Sequence, residues 1–354
     1  MIDAQAAFTG TTAPQGDDRL DEARLKQWFG THVADFAGPL SVAKFKGGQS
    51  NPTYRIDTPA RAYVLRRKPL GKLLPSAHAV DREYRVQAAL YPAGFPVARQ
   101  YGLCTDDAVV GSWFYVMDCV AGRTVWDGAM PGLTPADRRA HYLAMVDTLA
   151  ALHALDPASV GLGDYGKPGN YFARQVDRWT RQYRLSQTEV MPAMERLIAW
   201  LPASVPAQTR TSVVHGDYRI DNLIFAPDTP RVAAVLDWEL STLGDPLADF
   251  TYFAMAWAQP NERRSGVMDL DRAALGIPEL ADVTARYCAL TGRDGLPELD
   301  WYFAYNLFRL AAIIQGIKRR VIDGTAASAH AIAMSERVGP LATLALDHAI
   351  RAGA

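Results

Sequence analysis

The 354-residue sequence predicts an α+β chain of two lobes: an N-terminal antiparallel five-stranded sheet with a helix, then a larger, mainly helical C-terminal lobe. Three observations carry this reading. Short runs with strand character crowd the first third of the chain, most apolar runs after Thr134 have helical spacing, and the length exceeds that of an ordinary single domain.

Residues 1–20, small and polar, predict a flexible N-terminal tail. The N-terminal lobe is assigned to 21–118. Ala23, Leu25, Trp28, Phe29 and Val33 recur near helical spacing and set a helix over Asp21–Phe36. Val42–Lys46, Thr53–Thr58 and Ala62–Arg67 read as a meander joined by the turns GGQSNP and TPAR. Ser76 as N-cap opens a helix to Leu90, and Val97–Leu103 and Trp113–Met117 complete the five strands. DCVAG at 118–122 breaks the pattern with a polar residue and a glycine, as a connector requires, and the C-terminal lobe takes 119–354. Helices suit Thr134–Leu155, Tyr171–Leu185, Val190–Leu201, Pro246–Trp257, Pro278–Thr291, Leu299–Val321 and Ala329–Arg351. One island of strand, Leu223–Ala226 and Arg231–Leu236, lies among them.

Composition narrows the function. Lys+Arg 37 against Asp+Glu 38 gives a net charge of -1, so the chain lacks the basic field of a nonspecific nucleic-acid binder, and phosphate recognition has to be local. Cys104, Cys119 and Cys288 are odd in number and form no CxxC pair, which speaks against a disulfide framework or zinc site and for a reducing cytoplasm. The first 18 residues lack the basic and apolar regions of a signal peptide, and no window offers the about 20 apolar residues of a membrane span.

The chemistry gathers in VVHGDYRIDNLIF at 213–225, placed in a loop just before the strand island. Asp217 and Asn222 lie five residues apart, and Asp237 follows the apolar strand VAAVL. Two carboxylates and an amide carbonyl are hard oxygen donors, suited to holding Mg²⁺ together with a substrate's phosphates. That pattern points to phosphoryl transfer.

HGD at 215–217, Asn222 and DWE at 237–239 resemble the catalytic loop and metal-binding Asp of the aminoglycoside phosphotransferase and choline kinase family. The resemblance spans residues 40–325 and takes in GDPLADF at 244–250 and ALAALHAL at 148–155. It implies a bilobal protein-kinase-like fold with ATP and Mg²⁺ as cofactors. Carried over, Asp217 orients the acceptor hydroxyl and accepts its proton, while Asn222 and Asp237 become the Mg²⁺ ligands. His215 either braces the loop or simply bonds to backbone. Arg219 either neutralises the transferred phosphoryl group or forms an ion pair, and Asp221 reads as a loop carboxylate.

On the nucleotide side the resemblance assigns Gly47, Gly48, Ser50 and Asn51 of GGQSN to phosphate cover, where small residues let backbone N–H groups approach. Arg66 in YVLRRKP stands where the family carries a lysine, and Glu83 is its acidic partner from the helix DREYRVQAAL. Asp118 and Val120 match positions whose backbone meets adenine, with Met117 behind them.

The acceptor side is less defined. Arg174, Arg178 and Arg181 share one helix face, which is either solvated or a contact for an anionic substrate. Tyr305 belongs to a stripe of the last long helix with Trp301, Tyr302, Asn306 and Arg309, either core or pocket lining. Arg174, Arg178, Glu239 and Tyr305 are the candidate acceptor contacts. PGNYFARQVDRWTRQY and WELSTLGDPLADFTYF are most similar to the kinase-like domain fused in some proteins to an acyl-CoA dehydrogenase, which implies a hydroxyacyl compound or hydroxyacyl-CoA as acceptor. An aminoglycoside, sugar or amino-alcohol kinase and a nucleotide-binding regulatory pseudokinase are the alternatives. The C-terminal 60 residues lack the acidic cluster that polycationic antibiotics need, and no APE-like segment of a protein kinase follows DWE. No nucleic-acid or membrane partner is expected.

Overall fold

The computed structural model describes residues 9–46, 51–71, 78–261, 266–326 and 328–354; of the tail predicted over 1–20, residues 1–8 lie outside the described residues, and the rest contains a strand. β1 (Thr11–Thr12) pairs antiparallel with β2 (Ser41–Phe45). The cause lies in Arg67, 2% exposed, whose guanidinium donates to the Asp17 carbonyl at 2.5 Å, the Val110 carbonyl at 3.0 Å and the Tyr54 hydroxyl at 3.2 Å. A buried cation must be met by acceptors, and residues 9–20 supply one of them. Asp18 adds an ion pair to Lys44 at 2.6 Å.

β1 thus makes the sheet six-stranded, in the order β1-β2-β3-β4-β6-β5, with β3 (Thr53–Asp57), β4 (Ala62–Arg67), β5 (Gln100–Cys104) and β6 (Phe114–Asp118). α1 (Glu22–His32) is capped by the Asp21 carboxylate, which accepts from the Ala23 and Arg24 N–H groups at 3.1 and 3.0 Å. Leu25, Trp28 and Phe29 of α1 pack with Tyr54, Tyr63, Leu65 and Phe114 on one face of the sheet. Val64, Tyr115 and Met117 pack with Val80 of α2 (Val80–Leu90) on the other. Alternation along β4 therefore puts Arg66, two residues after Val64, on the face toward α2. Ser76, the predicted cap of that helix, lies outside the described residues. The short α3 (Asp107–Val110) escapes periodicity altogether, since one turn has none.

The connector is held where the sequence breaks. A Cβ on Gly122, at φ 151°, would lie 2.3 Å from the Phe225 carbonyl oxygen, so only glycine fits there. β7 (Arg123–Thr124) then pairs with β9 (Leu223–Phe225), which pairs with β10 (Val232–Val235), while β8 (Ser212–Val214) pairs with β11 (Thr242–Gly244). β7, β8 and β11 are too short for a pattern and were not expected.

The predicted helices of the larger lobe form as α4 (Pro135–Ala154), α5 (Tyr171–Ser186), α6 (Pro192–Trp200), α7 (Leu247–Ala254), α9 (Leu280–Thr291) and α10 (Leu299–Ile322), with a short α8 (Arg272–Leu275) between α7 and α9. The single helix predicted over Ala329–Arg351 is two, α11 (Ala329–Ser335) and α12 (Val338–Arg351). Pro340 explains the break, because its missing N–H is harmless in the first turn of a new helix and disruptive inside a continuous one. α10 buries every residue from Trp301 to Arg309 and forms the axis of the lobe. The three cysteines are free, and no helix among the described residues is long and apolar enough to cross a membrane.

Candidate active site

The HGD loop leaves β8 at His215 and is shaped by its own hydrogen bonds. A Cβ on Gly216, φ 86°, would meet the Leu240 carbonyl oxygen at 2.8 Å, so the loop can take this path only with glycine. His215 Nε2–H donates to the Leu236 carbonyl at 2.7 Å, and its Nδ1 accepts from the Asp217 N–H at 3.2 Å. One neutral tautomer satisfies both bonds. The imidazole is thus a brace between the loop and the residue before Asp237.

Asp249, fully buried in the first turn of α7, holds the same loop from below. Its two oxygens accept from the His215 and Gly216 N–H groups at 2.6 and 2.7 Å. Sequence reasoning noticed GDPLADF and gave Asp249 no role. The signal was there: an aspartate inside an apolar helix turn has to find donors.

Asn222 folds back on Asp217, its Nδ2 donating to the Asp217 carbonyl and to Oδ2, both at 2.9 Å. The Leu236 N–H bonds the Asn222 carbonyl at 2.8 Å, which brings Asp237 beside the loop across fourteen residues of sequence. Asp237 itself adopts φ 63° and ψ 61°, a left-handed conformation uncommon for a residue with a side chain. Burial pushes the Asp217 carboxyl above its usual range, while the Arg219 and Arg309 charges pull it back. Asp217, Asn222 and Asp237 are therefore gathered at one place. Arg219 engages Asp221 with both its Nε and its Nη2, the latter at 2.6 Å, which favours the ion-pair alternative for this residue.

From the opposite lobe Arg66 reaches into the same place. Its Nη2 lies 2.6 Å from Asp237 Oδ1 and 3.5 Å from Glu239 Oε2, and its Nε lies 3.0 Å from Glu83 Oε2. Lysine, with one nitrogen, could not span three carboxylates in this way. Glu83, 1% exposed, also accepts from Tyr115 Oη at 3.0 Å and Asn51 Nδ2 at 2.8 Å. Burial pushes its carboxyl up to about 7 even with Arg66 alongside. Asn51, expected at the phosphates, has its amide committed to Glu83 and to His78 Nδ1 at 2.9 Å. Gly47, Gly48 and Ser50 lie outside the described residues.

The remaining candidates separate. The Asp118 carboxylate accepts from Tyr101 Oη at 2.6 Å, and Val120 packs behind Met117 at the lobe connector. Glu239, expected to contact an acceptor, faces Arg66, its Oε2 3.5 Å from Nη2. Arg174 bonds the Gly169 carbonyl and, at 2.7 Å, the Lys167 carbonyl, tying down the loop before α5. Arg181 pairs with Asp177 at 2.7 Å. Tyr305 is buried, its ring parallel to Trp301 at 5.8 Å.

Comparison with known proteins agrees with this geometry. Residues 41–286 match the profile of the phosphotransferase enzyme family. A Ralstonia eutropha crystal structure assigned to the aminoglycoside phosphotransferases is 49% identical, with a TM-score of 0.87 over 94% of this chain and 99% of that one. Aminoglycoside phosphotransferase APH(4)-Ia, solved in a ternary complex with ADP and hygromycin B, shares the fold at a TM-score of 0.60 and 15% identity over 94% of this chain and 99% of that one. Among curated proteins, mouse acyl-CoA dehydrogenase family member 10 is 45% identical over 94% of this chain, and rat family member 11 is 40% identical over 94%. This chain spans only 31% and 43% of their lengths. With its protein-kinase-like architecture, its gathered Asp217, Asn222 and Asp237, and a profile match over most of its length, the chain belongs to the phosphotransferase enzyme family.

Proposed function

We propose that the chain is a small-molecule kinase that moves the γ-phosphoryl group of ATP, with Mg²⁺, to the hydroxyl of a hydroxyacyl compound or hydroxyacyl-CoA. The observation that carries it is the meeting of Asp217 and Asn222 with Asp237 under the Arg66 guanidinium. Asp217 is the base, buried enough to raise its affinity for a proton and steadied by Asn222. The donor set fits a hard cation: the Asn222 nitrogen is committed to Asp217, so its Oδ1 and the Asp237 carboxylate are the oxygens left to hold Mg²⁺. When bound, the cation neutralises charge on the phosphate oxygens. Arg66, once drawn off Asp237, offers its fork to the nucleotide phosphates while Glu83 keeps it in place. The ternary complex of APH(4)-Ia with ADP and hygromycin B supports nucleotide binding on this fold.

The acyl class rests on the curated relatives, which are named for acyl-CoA dehydrogenases, and on their similarity over nearly all of this chain. The test is a panel at equal concentration: hydroxyacyl-CoA thioesters, free hydroxy acids, choline, homoserine, sugars and kanamycin, read by ADP release and by mass of the product. Hydroxyacyl compounds are expected to lead. Efficient turnover of a sugar or cationic acceptor with hydroxyacyl compounds inert overturns the acceptor, and no ATP use with any of them overturns the kinase.

A further inference from the structure

Arg309 is 6% exposed in the middle of α10, and its Nη2 donates to the Gly216 carbonyl at 2.6 Å, one residue before Asp217. Its buried Nε has no hydrogen-bond partner. Its guanidinium also lies 5.1 Å from the Tyr252 ring centroid and 5.6 Å from that of Trp179. A second guanidinium, that of Arg178 on exposed α5 surface, lies 5.2 Å from the same indole. Among the described residues no carboxylate forms an ion pair with either arginine.

This is unusual chemistry for a lobe interior. A buried guanidinium with no direct ion pair among the described residues, and only the Asp217 charge at longer range, carries a desolvation penalty that a leucine or methionine at the same place would avoid. Arg219 is matched by Asp221, while the Asp217 and Asp249 carboxylates beside the same loop are taken up by Asn222 and by the His215 and Gly216 N–H groups, so neither forms an ion pair with Arg309. Arg174 and Arg181, which the sequence groups with Arg178, are already engaged with backbone carbonyls and with Asp177.

We propose that Arg178 and Arg309, both set against Trp179 beside the Asp217 loop, form the subsite for an anionic group of the acceptor, a phosphate or a carboxylate. The proposal rests on the phosphotransferase reading and names the residues that select its substrate. Arg178, exposed and with no hydrogen bond or ion pair among the described residues beyond its place over the Trp179 ring, makes the direct charge-assisted contact. Arg309 supplies charge from beneath and fixes the loop that carries Asp217, so acceptor anion and reacting hydroxyl are held from one frame.

Binding rather than turnover tests it, by calorimetry with Mg²⁺ and a nonhydrolysable ATP analogue present. Three probes separate the sources of charge: a hydroxyacyl-coenzyme A thioester, the same acyl group on uncharged pantetheine, and the free hydroxy acid. Arg178→Gln is expected to weaken the preferred charged probe about tenfold or more, the loss of one charge-assisted contact, and to leave pantetheine thioester binding and ATP-analogue binding unchanged. Arg309→Lys, which keeps the charge and loses the fork, should weaken the same probe by a smaller factor. Arg184→Gln, an equal charge change on the same helix where Arg184 pairs with Glu195, should have no effect. A thioester preference assigns the subsite to phosphate, and a free-acid preference assigns it to carboxylate. Equal affinity of wild type for charged and uncharged probes, or indifference of the charged probe to Arg178→Gln, overturns the subsite. Anion binding lost in Arg178→Gln with no phosphoryl transfer to any acceptor would instead retain the subsite and remove the kinase reading.

Discussion

Asp217 has an amide and two guanidinium groups around it that do different work, and they define what its removal should do. Asn222 fixes the carboxylate by a bond to Oδ2, and Arg309 and Arg219 offset the burial that favours its protonated form. Asp217→Asn keeps shape and removes the proton acceptor. Phosphoryl transfer is expected to fall about 10² to 10⁴-fold, with Mg-ATP affinity little changed, because Asp237 and Asn222 remain as cation donors. Rates from ADP release and affinity from calorimetry check both halves. A mutant retaining more than about a tenth of the wild-type rate would exclude Asp217 as the base.

At the scale of elements, the ion pair of Arg66 with Glu83 links β4 to α2 beside Asp237, and Asn51 bonds the same Glu83. Arg66→Ala and Glu83→Ala are each expected to raise the KM for ATP and lower kcat. The double mutant should be little worse than either single one, a coupling of about 0.5 to 3 kcal/mol in a double-mutant cycle on kcat/KM. Additive losses would mean the two act separately. This pair was legible because the family resemblance supplied a strand cation and its helix acid, and the alternation along β4 placed the cation at Arg66. The HGD loop was legible for another reason, since its polar residues stand between apolar strands. Arg309 and Asp249 were not singled out: each sits in a helix whose neighbours are nearly all apolar, and only the backbone groups they bond, distant in sequence, reveal their purpose. The lone turn α3 and the strands β7, β8 and β11 were missed for want of length. Thr11–Thr12 was missed because its place is decided by Arg67, a residue 55 positions later.

For the molecule as a whole, Glu83 is a group whose titration reaches stability. Its folded carboxyl is pushed up to about 7 from an ordinary 4.5, chiefly by burial, so between those values the folded chain retains a proton that the unfolded chain has released. Stability contributed at low pH is therefore lost as pH rises from about 4.5 to 7, at up to about 1.4 kcal/mol per pH unit. Glu83→Gln should remove that part of the slope, measured as the difference between wild-type and mutant denaturant midpoints at successive pH values. Parallel wild-type and mutant profiles would count against the raised carboxyl. Movement between the lobes is constrained by Gly122. With its backbone pressed on the Phe225 carbonyl and β7 paired to β9 directly after it, the connector from 122 onward travels with the strand that follows Asn222. The lobes also meet away from the connector, where Val86, Leu90 and Phe95 share a core with the larger lobe and the Val235 N–H bonds the Pro96 carbonyl. What ties Asp217, Asn222 and Asp237 together lies wholly within the larger lobe, so separating Arg66 from Asp237 breaks one contact across the cleft and leaves the three in register with one another.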